Sequence, residues 1–94
     1  MKVVINACYG GFGLSEAAVK RLKAEGIEDP DHWDLCRHDP RLIRAVEEMG
    51  AEASAYRSNL TVVAAEGDRY YIEEYDGFET LLTPEDPERW IVVT

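Results

Sequence analysis

Runs of apolar and β-branched positions along the chain predict several β-strands. Residues 2–7 contain three consecutive β-branched side chains, at positions 3–5, which is typical of a buried strand. Residues 60–64 have the same character and predict a second buried strand. Residues 69–75 and 78–82 flank an Asp-Gly dipeptide, the strongest short signal for a two-residue hairpin.

Two other segments show the period of an amphipathic helix. The first helix is predicted to begin after Ser15, a good N-cap, and to end at Gly26. The second is predicted to have Asp39 as its N-cap, Pro40 in its first position and Gly50 at its end. The apolar stripes of the two helices are Leu14, Ala18, Val19 and Leu22, followed by Leu42, Ala45, Val46 and Met49.

The connecting segments complete the fold prediction. Residues 33–37 are predicted as a short strand, residues 51–59 as a linker or one more helical turn, and residues 90–93 as a last strand at a sheet edge. The order is then β-α-β-α-β-β-β. This order predicts an α+β fold in one domain, residues 1–94, with two helices packed on a mixed β-sheet of about four to five strands as a two-layer sandwich.

Charge and cysteine content narrow the range of partners. The net charge of −9 argues against a duplex nucleic acid or an anionic membrane surface as partner. It leaves room for a small anionic ligand, because a few backbone N–H groups and arginines can form a local positive site. Two cysteines are too few for a disulfide framework, and the N-terminal apolar run is too short for a signal peptide, so we expect a cytoplasmic protein.

A glycine-rich loop between the first strand and the first helix is the leading candidate binding site. Its residues are Tyr9, Gly10, Gly11, Phe12, Gly13 and Ser15. A helix N-terminus with free N–H groups suits a phosphate, and aromatic side chains can stack on a base. The loop lacks the Gly-Lys-Ser/Thr of a P-loop and the spacing of the dinucleotide fingerprint. It is therefore either an anion-binding loop or a tight corner, and exposure of Tyr9 and Phe12 distinguishes the two.

Catalytic and metal sites are weaker alternatives. Cys8 lies near the predicted helix N-terminus, where a thiol can become nucleophilic, with His32 or His38 as its base. Together with Cys36 these residues would suffice for zinc, but the chelating spacings are missing. We therefore predict no metal and no cofactor, and a small hydrolase using Cys8 or His38 stays an alternative.

Basic residues surround the predicted start of the second helix. Arg37 and His38 precede it, and Arg41 lies in its first turn, where positive charge opposes the helix dipole unless an anion is near. One interpretation is a ligand site in which the three residues face the glycine loop, provided that the first two strands are adjacent and parallel. The other is a solvated face in which Arg44 pairs with Glu48.

The predicted hairpin contains a conflict of charge. With Asp76 and Gly77 as the turn, Glu74 falls directly opposite Glu79, and like charges across a ladder are destabilising. Either both carboxylates point to water, or one of them has an arginine partner or contacts a ligand.

Three stretches give the chain a resemblance to known proteins. They are "INACYGGFGLS", "CRHDPRLIRAVEEMG" and "IEEYDGFE", and they cover about a third of the sequence. In them the chain resembles a group of small uncharacterised proteins encoded in bacteriophage genomes. It departs from that group at residues 83–94, where "TPEDPERWIVVT" replaces a shorter tail.

The resemblance implies an action on host machinery in the bacterial cytoplasm, since some small phage proteins sequester the cyclic nucleotide signals of bacterial immunity. Our leading hypothesis is a non-enzymatic binder of a small nucleotide-like ligand at the glycine loop, with Arg37, His38 and Arg41 supplying charge. The rival hypothesis is a protein that inhibits a host protein by direct binding. A homo-oligomer formed through the strand at residues 90–93 is also considered.

Overall fold

A computed structural model describes residues 1–31, 35–64, 67, 69–82 and 91–92, the last two as backbone only. The strands are β1 (Lys2–Asn6), β2 (Leu60–Ala64), β3 (Arg69–Tyr75), β4 (Phe78–Leu82) and β5 (Ile91–Val92). The helices are α1 (Glu16–Ala24) and α2 (Pro40–Met49), and a 3-10 helix (Gly50–Ala53) follows α2 directly. The predicted α+β class is confirmed, and so is the extra helical turn after α2.

The two helices begin and end where their local signals predicted. The Ser15 hydroxyl accepts a hydrogen bond from the Ala18 N–H at 3.2 Å, and the Asp39 carboxylate accepts one from the Arg41 N–H at 2.8 Å. Gly26 follows α1 with a φ of +103°, a conformation that a glycine adopts at little cost. Side-chain caps and terminal glycines therefore set the limits of these helices.

The strand pairing differs from the predicted mixed sheet. β1 pairs antiparallel with β2, and β3 lies between β4 and β5 with both neighbours antiparallel. The predicted strand at 33–37 is wrong over residues 35–37, which form no regular strand although the Arg37 carbonyl accepts the Val4 N–H at 2.9 Å. The order along the described chain is therefore β-α-α-β-β-β-β.

Both faces of β1 are buried, each against a different layer. Val4 packs with Leu22 and Leu42 of the helices, whereas Val3 and Ile5 pack with Tyr70 of β3. Because side chains alternate along a strand, the β-branched run of β1 supplies both clusters. The β1–β2 ribbon therefore has the helices on one side and the three-stranded sheet on the other.

The two helices run in opposite directions along this ribbon. Arg21 of α1 forms an ion pair with Glu48 near the end of α2, and the Glu25 carbonyl after α1 accepts from Arg41 at the start of α2. The two helix N-termini therefore lie at opposite ends of the helical layer. The expectation that they share one sheet edge is wrong, because residues 35–37 form no strand parallel to β1 and the partner of β1 is the antiparallel strand β2.

Some predicted features fall on residues outside the described part of the chain. They are His32, Trp33, the proline-containing turn at residues 83–88, Trp90 and Val93.

Candidate functional site

An ion pair between Arg37 and Glu79 completes the outer edge of β1. Arg37 donates from Nη1 to Glu79 Oε1 at 2.6 Å and from Nη2 to Oε2 at 2.9 Å. Glu79 Oε1 also accepts the backbone N–H of Asn6 at 2.8 Å, and Arg37 Nη1 reaches the Val4 carbonyl at 3.3 Å. The ion pair thus supplies hydrogen bonds that a neighbouring strand would otherwise provide.

This ion pair resolves the charge conflict predicted in the hairpin. Glu74 does lie opposite Glu79, but the Glu79 side chain is only 8% exposed and carries the Arg37 partner. Glu74 instead accepts the Gly77 N–H at 2.7 Å and caps the hairpin turn. The interpretation in which both carboxylates point to water is therefore wrong, and the arginine-partner alternative is confirmed.

Arg37 also connects the ion pair to the glycine loop. Its guanidinium lies over the Phe12 ring at 3.7 Å from the centroid, a cation–π geometry. The side chain of Arg37 is 16% exposed and its charge is neutralised by Glu79. Arg37 therefore faces the loop as expected, but its charge is already balanced before any anionic ligand arrives.

Asn6 ties the glycine loop to the hairpin turn. Its amide Nδ2 donates to the Cys8 carbonyl at 2.7 Å and to the Gly77 carbonyl at 2.8 Å, while its Oδ1 accepts the Asn59 N–H at 2.8 Å. The side chain is fully buried. Three backbone segments are therefore held together by one buried amide, which would cost stability if any partner were lost.

The glycines in this region allow backbones to approach closely. A Cβ on Gly77 would lie 2.5 Å from both the Gly11 nitrogen and the Tyr9 oxygen, and a Cβ on Gly10 would collide with Arg57. Both residues of the hairpin turn have positive φ, +51° at Asp76 and +91° at Gly77, as a type I′ turn requires. The loop is thus a packed corner on one side.

The other side of this corner presents aromatic side chains to solvent. Tyr9 is 65% exposed and Tyr75 is 76% exposed, whereas Phe78 is half-buried. The Tyr9 and Phe78 ring centroids lie 5.3 Å apart, and Tyr75 is the cross-strand partner of Phe78. Directly paired residues share a sheet face, so Tyr9, Phe78 and Tyr75 form one surface, which we call the aromatic tip.

Exposed acidic side chains flank the aromatic tip on the hairpin. Glu73, Glu74 and Asp76 are all exposed on the same hairpin. On the loop side, the Arg37 guanidinium is bound to Glu79, and the exposed residue Arg57 packs against Gly10. The tip is therefore an aromatic surface with an acidic rim on its hairpin side.

His38 does not face the glycine loop. Its Nδ1 lies 2.6 Å from the Tyr70 hydroxyl, with the two rings edge to face at 5.5 Å. Tyr70 is 1% exposed, and its burial raises the pKa of the phenol to about 12, with smaller effects from Cys36 and Arg37. The two side chains thus form a hydrogen-bonded pair beside the second core cluster.

Arg41 lies away from the glycine loop as well. It forms an ion pair with Asp39 at 2.8 Å and donates to the Glu25 carbonyl at 3.3 Å. The hydrogen bond from the Arg41 side chain lowers the pKa of Asp39, and the same bond raises the pKa of Arg41. Of the three predicted basic ligands, only Arg37 therefore comes near the loop.

The backbone N–H groups of the glycine loop and of Ser15 differ in whether they have hydrogen-bond partners. The Ser15 N–H donates to the Ala53 carbonyl, and the Ser15 hydroxyl is shared between the Ala18 N–H and the Glu52 carbonyl. Among the described residues, the N–H groups of Gly10, Phe12 and Gly13 have no hydrogen-bond partner, whereas the Gly11 nitrogen closes the turn at residues 9 and 10 and lies against Gly77. Three backbone donors of the loop are thus without a partner in this part of the chain.

Neither cysteine lies in an assembled reactive site within the described residues. Cys8 is half-buried and Cys36 is exposed, and both are free thiols. Over the described residues, no three His, Cys, Asp or Glu side chains converge as metal ligands. In that same part of the chain, no helix has the length and apolar character needed to cross a membrane.

No protein-family model, curated protein or solved structure matches this chain. Function therefore has to be inferred from the chemistry and geometry of the site itself.

The sequence predicts the glycine loop as a site, but it did not predict the buried amide that holds the loop or the hairpin aromatic residues beside it. Asn6 lies at the end of the first predicted strand, and an amide directly after an apolar run is a signal of a buried polar contact. Tyr75 and Phe78 flank the Asp-Gly turn, so their shared face could have been deduced from the hairpin register. The contact of Tyr9 with Phe78 had no local signal, because 69 positions separate them.

Proposed function

We propose that this chain is a non-enzymatic binding protein whose aromatic tip docks on a basic surface of a partner protein. The observation that carries the proposal is the exposure of Tyr9, which contacts Phe78, and of Tyr75, which is paired with Phe78. Tyrosine is enriched in protein interfaces because its ring buries a large apolar area at small conformational cost.

The charge around the tip favours a basic partner. The rim residues Glu73, Glu74 and Asp76 are exposed, and the chain as a whole carries a net charge of −9. Complementary charge accelerates encounter and selects among partners more than it adds affinity. We therefore expect binding that becomes slower as salt is added.

The support beneath the tip favours binding without rearrangement. Asn6 links the loop carrying Tyr9 to the turn between Tyr75 and Phe78 through two hydrogen bonds, and Gly77 packs against Gly11. A surface held in its bound shape loses little entropy on association. The resemblance to phage-encoded proteins suggests that the partner is a host protein in the bacterial cytoplasm.

Paired tyrosine variants test this proposal. Purified wild-type protein, immobilised and exposed to bacterial lysate, is compared with the double variant Tyr9→Ser, Tyr75→Ser and with Tyr56→Ser. Tyr56 is 93% exposed but lies outside the tip, so it controls for loss of an exposed ring. We expect one basic protein to be retained by the wild type and Tyr56→Ser and lost by the double variant. Retention of the same proteins by all three would refute the proposal.

A second candidate is a nucleotide-like ligand at the same corner, and it is favoured by the unpartnered N–H groups of Gly10, Phe12 and Gly13. There a phosphate would accept from the loop and a base would stack on Tyr9. The balanced charge of Arg37 and the acidic rim oppose it. Calorimetry with a panel of cyclic and linear nucleotides tests it, because binding that is lost in Tyr9→Ser would support this candidate and no heat at millimolar ligand would reject it.

A further inference from the structure

The two edges of the β1–β2 ribbon differ in how their backbone groups are satisfied. In an antiparallel ladder, hydrogen-bonded residue pairs alternate with pairs whose backbone groups point away from the partner strand. The Ala7 N–H donates to the Asn59 carbonyl, so this pair is hydrogen-bonded. Val4 and Asn6 therefore direct their backbone groups away from β2. They bind the Arg37 carbonyl, the Arg37 guanidinium and the Glu79 carboxylate. The outer edge of β1 is therefore covered.

The same alternation determines which residues of β2 direct their backbone groups to its outer edge. Thr61 and Val63 bond to β1, so Leu60, Val62 and Ala64 direct their N–H and carbonyl groups outward. The Leu60 N–H is capped by the Ser54 hydroxyl at 2.9 Å. Among the described residues, nothing accepts from the Val62 and Ala64 N–H groups or donates to the Leu60 and Val62 carbonyls on this edge.

This edge also lacks the usual protection against pairing. The sequence of β2 is LTVVA, with no charged residue, no proline and no glycine. Natural edge strands usually carry a charge, a proline or a bulge that blocks the addition of another strand. Val62 and Val63 instead give β2 a high β-propensity.

We propose that two copies of this chain associate through β2, antiparallel about a two-fold axis at Val62. In that register the Val62 N–H of each copy donates to the Val62 carbonyl of the other, and each Ala64 N–H donates to the opposite Leu60 carbonyl. Four of the five open groups of each copy are then used, and the fifth, the Ala64 carbonyl, lies opposite the capped Leu60 N–H of the other copy. The two ribbons become one four-stranded sheet, β1-β2-β2-β1.

A second copy fits this edge better than an unrelated strand does. The open donors and acceptors are self-complementary about one point, which is the condition for an isologous two-fold contact. The two subunits repel each other because each has a net charge of −9. Association should therefore strengthen with added salt, since screening acts over about 10 Å or less above 0.1 M. The proposed tip interaction responds to salt in the opposite direction.

Proline variants on the open edge test the dimer. Ala64→Pro and Val62→Pro each delete an N–H that points away from β1, and a proline is tolerated on an edge strand. Ala64→Ser keeps the N–H and is the matched control. Sedimentation equilibrium of the whole chain in about 0.5 M NaCl should give twice the 10.6 kDa chain mass for the wild type and Ala64→Ser. The proline variants should raise the dissociation constant at least about tenfold, which corresponds to the loss of two hydrogen bonds.

A residue-level measurement keeps the test independent of whether the proline variants fold. In wild-type protein, amide hydrogen exchange at Val62 and Ala64 should slow as protein concentration rises, while exchange at Thr61 and Val63 should not change. A wild type that stays monomeric up to about 1 mM would overturn the proposal. So would a dimer in which exchange at Val62 and Ala64 does not depend on concentration.

Discussion

Replacing Glu79 by alanine removes a buried carboxylate that accepts three hydrogen bonds, two from Arg37 and one from the Asn6 N–H. The variant leaves the Arg37 charge, on a side chain that is 16% exposed, without its partner. Removing one member of a buried ion pair costs about 3–5 kcal/mol, and an orphaned buried N–H alone costs about 1–3 kcal/mol. We expect Glu79→Ala to lower the free energy of unfolding by about 4 kcal/mol, a large part of the roughly 5–15 kcal/mol available to a domain.

Matched variants separate the charge from the hydrogen bonds. Glu79→Gln keeps an acceptor for the Asn6 N–H and should cost only about 2 kcal/mol. Arg37→Met leaves the carboxylate buried and unpaired and should cost about 3 kcal/mol. The double variant Arg37→Met, Glu79→Gln has no unpaired charge, so its cost should fall below the sum by about 1.5 kcal/mol or more.

Urea unfolding followed by far-UV circular dichroism measures these differences. The midpoint should shift while the slope against urea stays constant, since the same surface is exposed on unfolding. A cost for Glu79→Ala below about 1 kcal/mol, or a coupling within about 0.5 kcal/mol of zero, would refute the account of the β1 edge.

Three further perturbations give distinct expectations. Gly77→Ala should cost about 2 kcal/mol or more, because its Cβ would lie 2.5 Å from the Gly11 nitrogen at a φ of +91°. Stability should fall by about 2 kcal/mol between pH 10 and 12, because Tyr70 keeps its proton to about pH 12 when folded but loses it near 10 when unfolded. Asp39→Ala should cost about 1 kcal/mol at neutral pH through loss of the α2 cap. That deficit should shrink as the pH falls below about 4, because the lowered pKa of Asp39 gives stability only above its unfolded value.

Each perturbation has a control in the same chain. Gly67→Ala has a φ of +88° but no atom within 4 Å of the new Cβ, so it should cost only the roughly 1 kcal/mol of backbone strain. Equal melting temperatures for the two alanine variants would contradict the close packing at Gly77. Tyr70→Phe should remove the stability loss between pH 10 and 12. If the free energy of unfolding of this variant fell with pH as steeply as that of the wild type, the loss would belong to other groups. A pH-independent deficit for Asp39→Ala would show that its charge has no part in stability.

Local signals predicted the elements of this fold better than their pairing. The Asp-Gly dipeptide placed both hairpin strands, Arg69–Tyr75 and Phe78–Leu82, at their observed limits, because the turn determines the register of its flanks. The mixed sheet was wrong because strand pairing depends on contacts between distant segments. β1 meets β2 across 58 positions, and no local pattern distinguishes that partner from residues 33–37.

The site was predicted in part for the same reason. Positive charge before α2 correctly marked Arg37 as unusual, but its partner is Glu79, 42 positions away. The hairpin register alone indicated that an arginine partner was needed there. In that register Glu74 and Glu79 are directly opposite each other, and a cation beside one of them relieves the repulsion. The exposure of Tyr9 could not be derived from sequence, since it depends on the hairpin turn packing against one side of the loop only.

Site-specific photo-crosslinking tests the proposed binding surface most directly. A photoreactive phenylalanine analogue replaces Tyr75 at the aromatic tip or, as a control, Ala24, an exposed residue at the end of α1 on the helical side of the ribbon. In bacterial lysate at low salt we predict one crosslinked basic protein from position 75, weakened by added salt, and none from position 24. The absence of a crosslink at position 75, or the same products from both positions, would contradict the account.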